Sequence, residues 1–288
     1  MRRRRYLAGL AGVASPLAGC SGGGNADAGG DDGTGRTVTP APVPDGATAS
    51  VADGRVMPAA VGDAHVEALS RGSATVAVEY TAGREAQPFD LARLLATVDG
   101  GAFTHRLFDI REPENGAVAR RFRGFWYENG EAVVRVVEEG EEPRYFESEA
   151  FTPPPAAERF DRARLVDLLA AFGPSATDNG DGYGLAADEV AAPDRLPTPR
   201  ETDGSERGEL RGRLAADGAV AELSAVFGVP PSRAGSDPTV ITYRLAVTDR
   251  GSTAVERPDA AGMMGWYREL RDGSPVPEDA TRVERPDW

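Results

Sequence analysis

Cys20 is the only thiol in the 288-residue chain, and Leu17-Ala18-Gly19 lead up to it. A thiol in that place, behind small residues that leave a peptidase room, can be alkylated by a lipid. A lone thiol also excludes an intrachain disulfide and a multi-cysteine metal site. The only imidazoles are His65 and His105. They fall on different expected elements, and each reads as a surface or structural histidine rather than a metal or triad ligand. Asp178-Asn179-Gly180-Asp181-Gly182 has the composition of a calcium loop. Gly180, however, occupies the third ligand position, and the segment reads as a solvated turn. There is no Gly-x-Ser-x-Gly elbow, no His-Glu-x-x-His helix and no Walker-type phosphate loop. The expectation is a protein without catalytic residues, metal or cofactor.

The segment ahead of Cys20 is laid out for export. Arg2 to Arg5 are followed by a short run of alanines, glycines and a few leucines with Pro16. Charged, apolar and small residues in that order make a secretory signal over 1–19, too short and too mildly apolar to span a bilayer. Arg3-Arg4-Arg5-Tyr6-Leu7 fits a twin-arginine signal with Tyr where Phe is usual. A lipid on Cys20 then places the protein on the extracellular face of the cell membrane, with that membrane as its first partner. Residues 20–58 carry Gly, Asp, Ala, Thr and Pro and almost no large apolar side chain. Such a segment buries too little surface to offset the entropy of ordering and reads as a tether. Thr37, Thr39, Thr48 and Ser50 are candidate glycan acceptors on it.

The chain has no lysine, so its 32 basic residues are all arginine, against 46 Asp and Glu. Without the four signal arginines, 28 arginines face 46 carboxylates, a balance of −18. Such a surface repels nucleic acid and stays hydrated where salt screens it, as in a halophile's extracellular protein. Arg120-Arg121-Phe122-Arg123-Gly124-Phe125-Trp126-Tyr127 interleaves cations with rings as nucleic-acid binders do. The overall charge and the exported location argue against that use. Strand alternation instead sends Phe122, Gly124 and Trp126 to one face and Arg123, Phe125 and Tyr127 to the other.

The remainder, 59–288, is long enough for one domain with a sizeable core, and no second linker divides it. Asp63 to Ser70 has the spacing of a short helix, stopped at Gly72. Ser73 to Tyr80 alternates as a half-buried strand. Two hairpins follow: Arg93 to Val98 with Ala102 to Ile110, and Arg120 to Tyr127 with Ala132 to Glu138 across Asn129-Gly130, the favoured type I′ pair. Leu91, Leu94, Leu95 and Val98 fit helical spacing as well as a strand. The clearest helix is Asp161 to Phe172, with Leu165, Leu168, Leu169 and Phe172 in one stripe and Gly173-Pro174 as its stop. Further strands are expected over Gly184 to Val190, Glu209 to Leu214, Val220 to Phe227 and Thr239 to Thr248. Long antiparallel strands with one strong helix give an α+β domain with a curved sheet.

This order of elements resembles a haloarchaeal surface-lipoprotein family with the pattern of LolA/LppX-like lipid carriers. The residues that carry the resemblance are Leu17 to Cys20, Phe125-Trp126-Tyr127-Glu128-Asn129-Gly130, Leu165 to Gly173, and the closing Val283 to Trp288. It implies an incomplete antiparallel barrel that wraps one or two helices and leaves an apolar cavity for acyl chains. On that reading the chain is a membrane-anchored binding or carrier module for a lipid or other apolar ligand. Phe122, Trp126, Leu168 and Phe172 are its candidate lining. The alternative is a non-enzymatic interaction subunit of an envelope or transporter complex. One departure stands out: Val255-Glu256-Arg257-Pro258-Asp259 already supplies the closing motif, which returns at Val283. Met263-Met264-Gly265-Trp266-Tyr267 between them reads either as a cavity mouth or partner contact, or as a short helix packed on the sheet.

Overall fold

The computed structural model describes residues 49–84, 87–111, 119–138, 144–148, 152–197, 207–229, 239–259, 265 and 268–283. Cys20 and its signal, the tether up to 48, and Met263, Met264, Trp266, Tyr267 and Trp288 lie outside the described residues. The first half contains β1 (Val51–Ala52), β2 (Arg55–Val56), α1 (Pro58–Ser70), β3 (Ser73–Arg84), β4 (Gln87–Asp99), β5 (Ala102–Arg111), β6 (Ala119–Glu128), β7 (Glu131–Glu138) and β8 (Arg144–Ser148). The second contains α2 (Ala156–Arg159), α3 (Arg162–Phe172), β9 (Ser175–Asp178), β10 (Gly182–Ala187), β11 (Gly208–Ala215), β12 (Val220–Val229) and β13 (Thr239–Thr248).

These strands form one antiparallel sheet in the order β1-β2-β9-β10-β11-β12-β13-β3-β4-β5-β6-β7-β8, and the two ends of that order do not pair. The result is the expected α+β class on an open sheet. Two meanders, β3 to β8 and β9 to β13, are joined where β13 pairs with β3, with Tyr243 opposite Tyr80 and Val247 opposite Val76. Asn129 and Gly130 both take positive φ, as a type I′ turn requires.

Strand alternation gives the sheet two faces. The helix face carries Val76, Val78 and Tyr80 of β3, Leu94 and Val98 of β4, Phe103 of β5, Phe125 of β6, Leu223 and Phe227 of β12, and Ile241 and Tyr243 of β13. These form one core with Leu165, Leu168, Leu169 and Phe172 of α3 and with Val61 and Leu69 of α1. Gly173, in the left-handed region, closes α3 and donates its N–H to the Leu169 carbonyl at 3.0 Å. Gly62 sits where α1 crosses α3: a Cβ there would lie 2.5 Å from Val166 Cγ2, so only glycine permits the approach.

The opposite face is covered by the irregular chain after β13, here called the strap. Its hydrogen bonds come mostly from side chains of the sheet to backbone of the strap. Arg93 donates to the Arg271 carbonyl at 2.7 Å and Arg244 to the Pro277 carbonyl at 3.3 Å. Glu222 accepts from the Thr281 N–H at 2.8 Å and Ser224 from the Val283 N–H at 3.1 Å. Leu270, in a helical turn at 268–272, packs on Leu91, Phe108 and Phe122. Val276 packs on Ala77 and Ala246, and Val283 on Val226 and Val240.

Several boundaries differ from the sequence reading. β4 is a strand along its whole length, since β3 and β5 pair with it on both sides. Its helix-like spacing arises because both faces are covered: Leu94 and Val98 serve the helix face, Leu91 and Leu95 the strap face. α1 begins at Pro58 rather than Asp63, with Pro in its first turn, where the missing N–H has no cost. β10 covers Gly182–Ala187 rather than Gly184 to Val190. The end of the segment 20–58 assigned to the tether belongs to the sheet, because Asp53-Gly54 turns β1 onto β2 and Arg55 pairs with Ser175 of β9. Ser50 is buried and cannot serve as an exposed glycan acceptor. β8, β9 and α2 are short elements that the sequence reading did not anticipate.

Candidate functional site

The helices cover one part of the helix face more fully than the other. α3 reaches β12, where Phe172 meets Phe227 edge to face with centroids 6.2 Å apart, and β13, where Asp161 accepts the Tyr243 hydroxyl at 3.2 Å. α2 reaches β5, where the Arg159 guanidinium lies 3.8 Å over the Phe103 ring. Farther along β4 to β7, Ala92, Leu107, Tyr127 and Val136 pack against the core yet remain half-buried. Pairing of β5 with β6 brings Leu107 opposite Arg123, His105 opposite Phe125 and Phe103 opposite Tyr127.

The rings here form a continuous group. Phe103 stacks on Tyr127 at 5.0 Å and meets Phe125 edge to face at 5.8 Å, and His105 stacks on Phe125 at 5.1 Å. Burial, then Arg159, then Arg123 push the His105 pKa down to about 4, so the ring is neutral at pH 7. Arg159 makes no ion pair among the described residues, and its Nε is buried without a hydrogen-bond partner. Burial lowers its pKa from the usual arginine value. The carboxylate on the same face of β5, Asp109, is taken by Arg121 at 2.7 Å. Apolar side chains thus border two cations, Arg159 and the exposed Arg123, that have no carboxylate partner among the described residues. That combination can hold an apolar body and attract negative charge.

The sequence-derived lining residues are divided by the sheet. Leu168 and Phe172 lie fully inside the helix-face core, while Phe122 belongs to the strap-face cluster with Leu91, Phe108 and Leu270. Trp126 points the same way as Phe122 and has Arg257 of the strap over its ring at 5.4 Å. The expected alternation of Phe122, Gly124 and Trp126 against Arg123, Phe125 and Tyr127 is what the register produces, and it is also why the four cannot line one cavity. Phe125 and Tyr127, with Leu107 and Val136, are the side chains of this region that share the helix face. Arg159 was missed because α2 is four residues long and follows Pro153-Pro154-Pro155, where no periodicity can signal a helix.

His65 is buried in α1 and accepts the Val220 N–H on Nδ1 at 3.1 Å. Burial foremost, and then Arg250, lower its pKa to about 4, against the Phe160 backbone and Asp217, which pull upward. It is the structural histidine expected from sequence, joining α1 to β12. Asp178 to Gly182 turns β9 into β10, with the Gly180 N–H donating to the Asp178 carboxylate at 2.7 Å. Among the described residues no three His, Cys, Asp or Glu side chains are grouped to hold a metal. No helix there is long and apolar enough to cross a membrane. No protein-family model matches the chain, and no curated protein does.

Proposed function

We propose that the folded body is a binding or carrier module for a lipid or other apolar ligand, held at the extracellular face of the membrane by a lipid on Cys20. An open antiparallel sheet with helices against one face supports the resemblance to LolA/LppX-like carriers. The observation that carries the reading is the group Ala92, Leu107, Tyr127 and Val136, which pack against the core from one face of β4 to β7 yet stay half-buried. Apolar surface left beside a core gains about 25 cal/mol per Å² when a ligand removes it from water. No bond has to form or break for this function, and loading needs only access to these side chains.

The test is mass spectrometry of organic extracts from the full chain, purified natively at high salt beside a mock purification. A stoichiometric lipid is expected, and Leu107→Asp is expected to lower its retention severalfold while the protein still unfolds cooperatively. A folded protein with no lipid in either form would sink the carrier reading and favour an interaction subunit of an envelope or transporter complex.

A further inference from the structure

We infer that the ligand of the helix face is an anionic amphiphile, a hydrocarbon chain with a carboxylate or phosphate head, and that Arg159 and Arg123 receive the head. The inference rests on the carrier reading and adds the chemistry of the ligand to it.

The chain has 46 carboxylates for 32 arginines, so an arginine without an acidic partner needs a reason. Other arginines have acidic partners: Arg93 of β4 with Glu79 at 3.0 Å, Arg121 of β6 with Asp109 at 2.7 Å, and Arg164 of α3 with Asp161 at 3.1 Å. Arg159 instead lies on an aromatic face, flanked by Phe103 at 3.8 Å and Phe160 at 5.5 Å. A half-buried guanidinium gains part of its lost hydration from such a ring, but ring contact leaves its N–H groups unused. Arg123 approaches from β6, across from Leu107 and Val136. His105 is two positions along β5 from Phe103, which Arg159 covers, and opposite Phe125, two positions along β6 from Arg123, so both cations belong to one part of the helix face.

In the register Arg123 lies between Leu107 and Val136, so an apolar chain laid across these residues can bring its end group to a guanidinium. A guanidinium fits carboxylate and phosphate through paired N–H donors, and a charge-assisted pair shielded from water is worth more than one in solvent. A neutral alcohol or sterol would leave Arg159 unpaired and desolvated further, which disfavours it.

Calorimetric titration of the full chain at one fixed salt concentration tests this with hexadecanoate, hexadecyl phosphate and hexadecanol, and with acetate and inorganic phosphate as headgroups alone. At least one acid should bind about tenfold more tightly than the alcohol, the size of one charge-assisted contact; the tighter of the two acids identifies the head. Arg159→Gln should reduce that advantage to less than about threefold, and Arg159→Lys should restore most of it. Arg123→Gln, at an exposed position that carries no core packing, should lower the same advantage if Arg159→Gln disturbs folding. Equal binding of acid and alcohol would overturn the inference and leave the carrier reading standing, as would inorganic phosphate binding as tightly as hexadecyl phosphate. Failure of all three chain-bearing compounds to bind would overturn the carrier reading itself.

Discussion

The two faces of the sheet receive apolar side chains from the same strands, yet they are covered in opposite ways. On the helix face, α1 and α3 contribute leucines and phenylalanines that interdigitate with the strands, and the core continues without a break from β10 to β7. On the strap face the described residues form three small clusters, and between them sheet side chains bond to strap backbone. A regular helix satisfies its own backbone groups and can offer only side chains to its partner. An irregular segment has free N–H and C=O groups, which a sheet can hold only with polar side chains. Arg93, Arg244, Glu222 and Ser224 therefore serve the strap, and the same alternation sends the large apolar side chains of β3, β12 and β13 to the helices.

The largest effect that sharpens this contrast comes from matched truncations. Leu168→Ala, at a fully buried position of α3, should cost about 2–5 kcal/mol, because a rigid two-sided core cannot collapse into the space. Leu270→Ala, at a nearly as buried position of the strap, should cost about 1–2 kcal/mol, because a segment held by side-chain pegs can shift into the gap. Urea denaturation of both variants at one salt concentration checks the difference. Equal losses would mean that the strap is as rigid as the helices.

Acid should act mainly on the helix face. The folded His65 pKa of about 4 lies below its ordinary value of 6.5, so between those two values the unfolded chain binds the proton more readily. Stability contributed by the neutral, buried ring is complete above about pH 6.5, falls as pH drops toward 4, and changes no further from this group below that. The drop amounts to about 3 kcal/mol at most. His105 shifts the same way and adds to the slope. His65→Asn, which keeps an acceptor for the Val220 N–H, should flatten much of the slope while lowering stability at neutral pH. An unchanged pH profile in that variant would assign the acid sensitivity to another group.

The helix face was legible in the sequence because its elements announce themselves by period. The stripe Leu165, Leu168, Leu169, Phe172 with Gly173 behind it marks α3, and alternation marks β3, β12 and β13. The site was harder to read. Phe122 and Trp126 look like cavity residues by composition, but which face of β6 meets the helices depends on register and on what covers each side, and neither is local information. The strap left no periodic trace at all, since its contacts are single residues such as Leu270, Val276 and Val283 spaced by turns. Arg159 was invisible for a related reason: its role comes from Phe103, more than fifty positions earlier, and not from its neighbours in α2.

The smallest effect tests whether the two faces are functionally separate. Arg257 of the strap lies over Trp126 at 5.4 Å and within 3.3 Å of Glu131, with both charged side chains well exposed. An exposed ion pair contributes little in salt, and a cation over an indole adds about 0.5–1 kcal/mol at such a site. Arg257→Gln should therefore lower stability by less than about 1 kcal/mol. A double-mutant cycle with Trp126→Phe should assign most of that loss to the pair. Because Trp126 faces away from Leu107, Arg123 and Arg159, retention of an apolar ligand should be unchanged. If Arg257→Gln instead releases ligand, the strap and the helix face act as one site, and the sheet between them transmits displacement rather than separating two jobs.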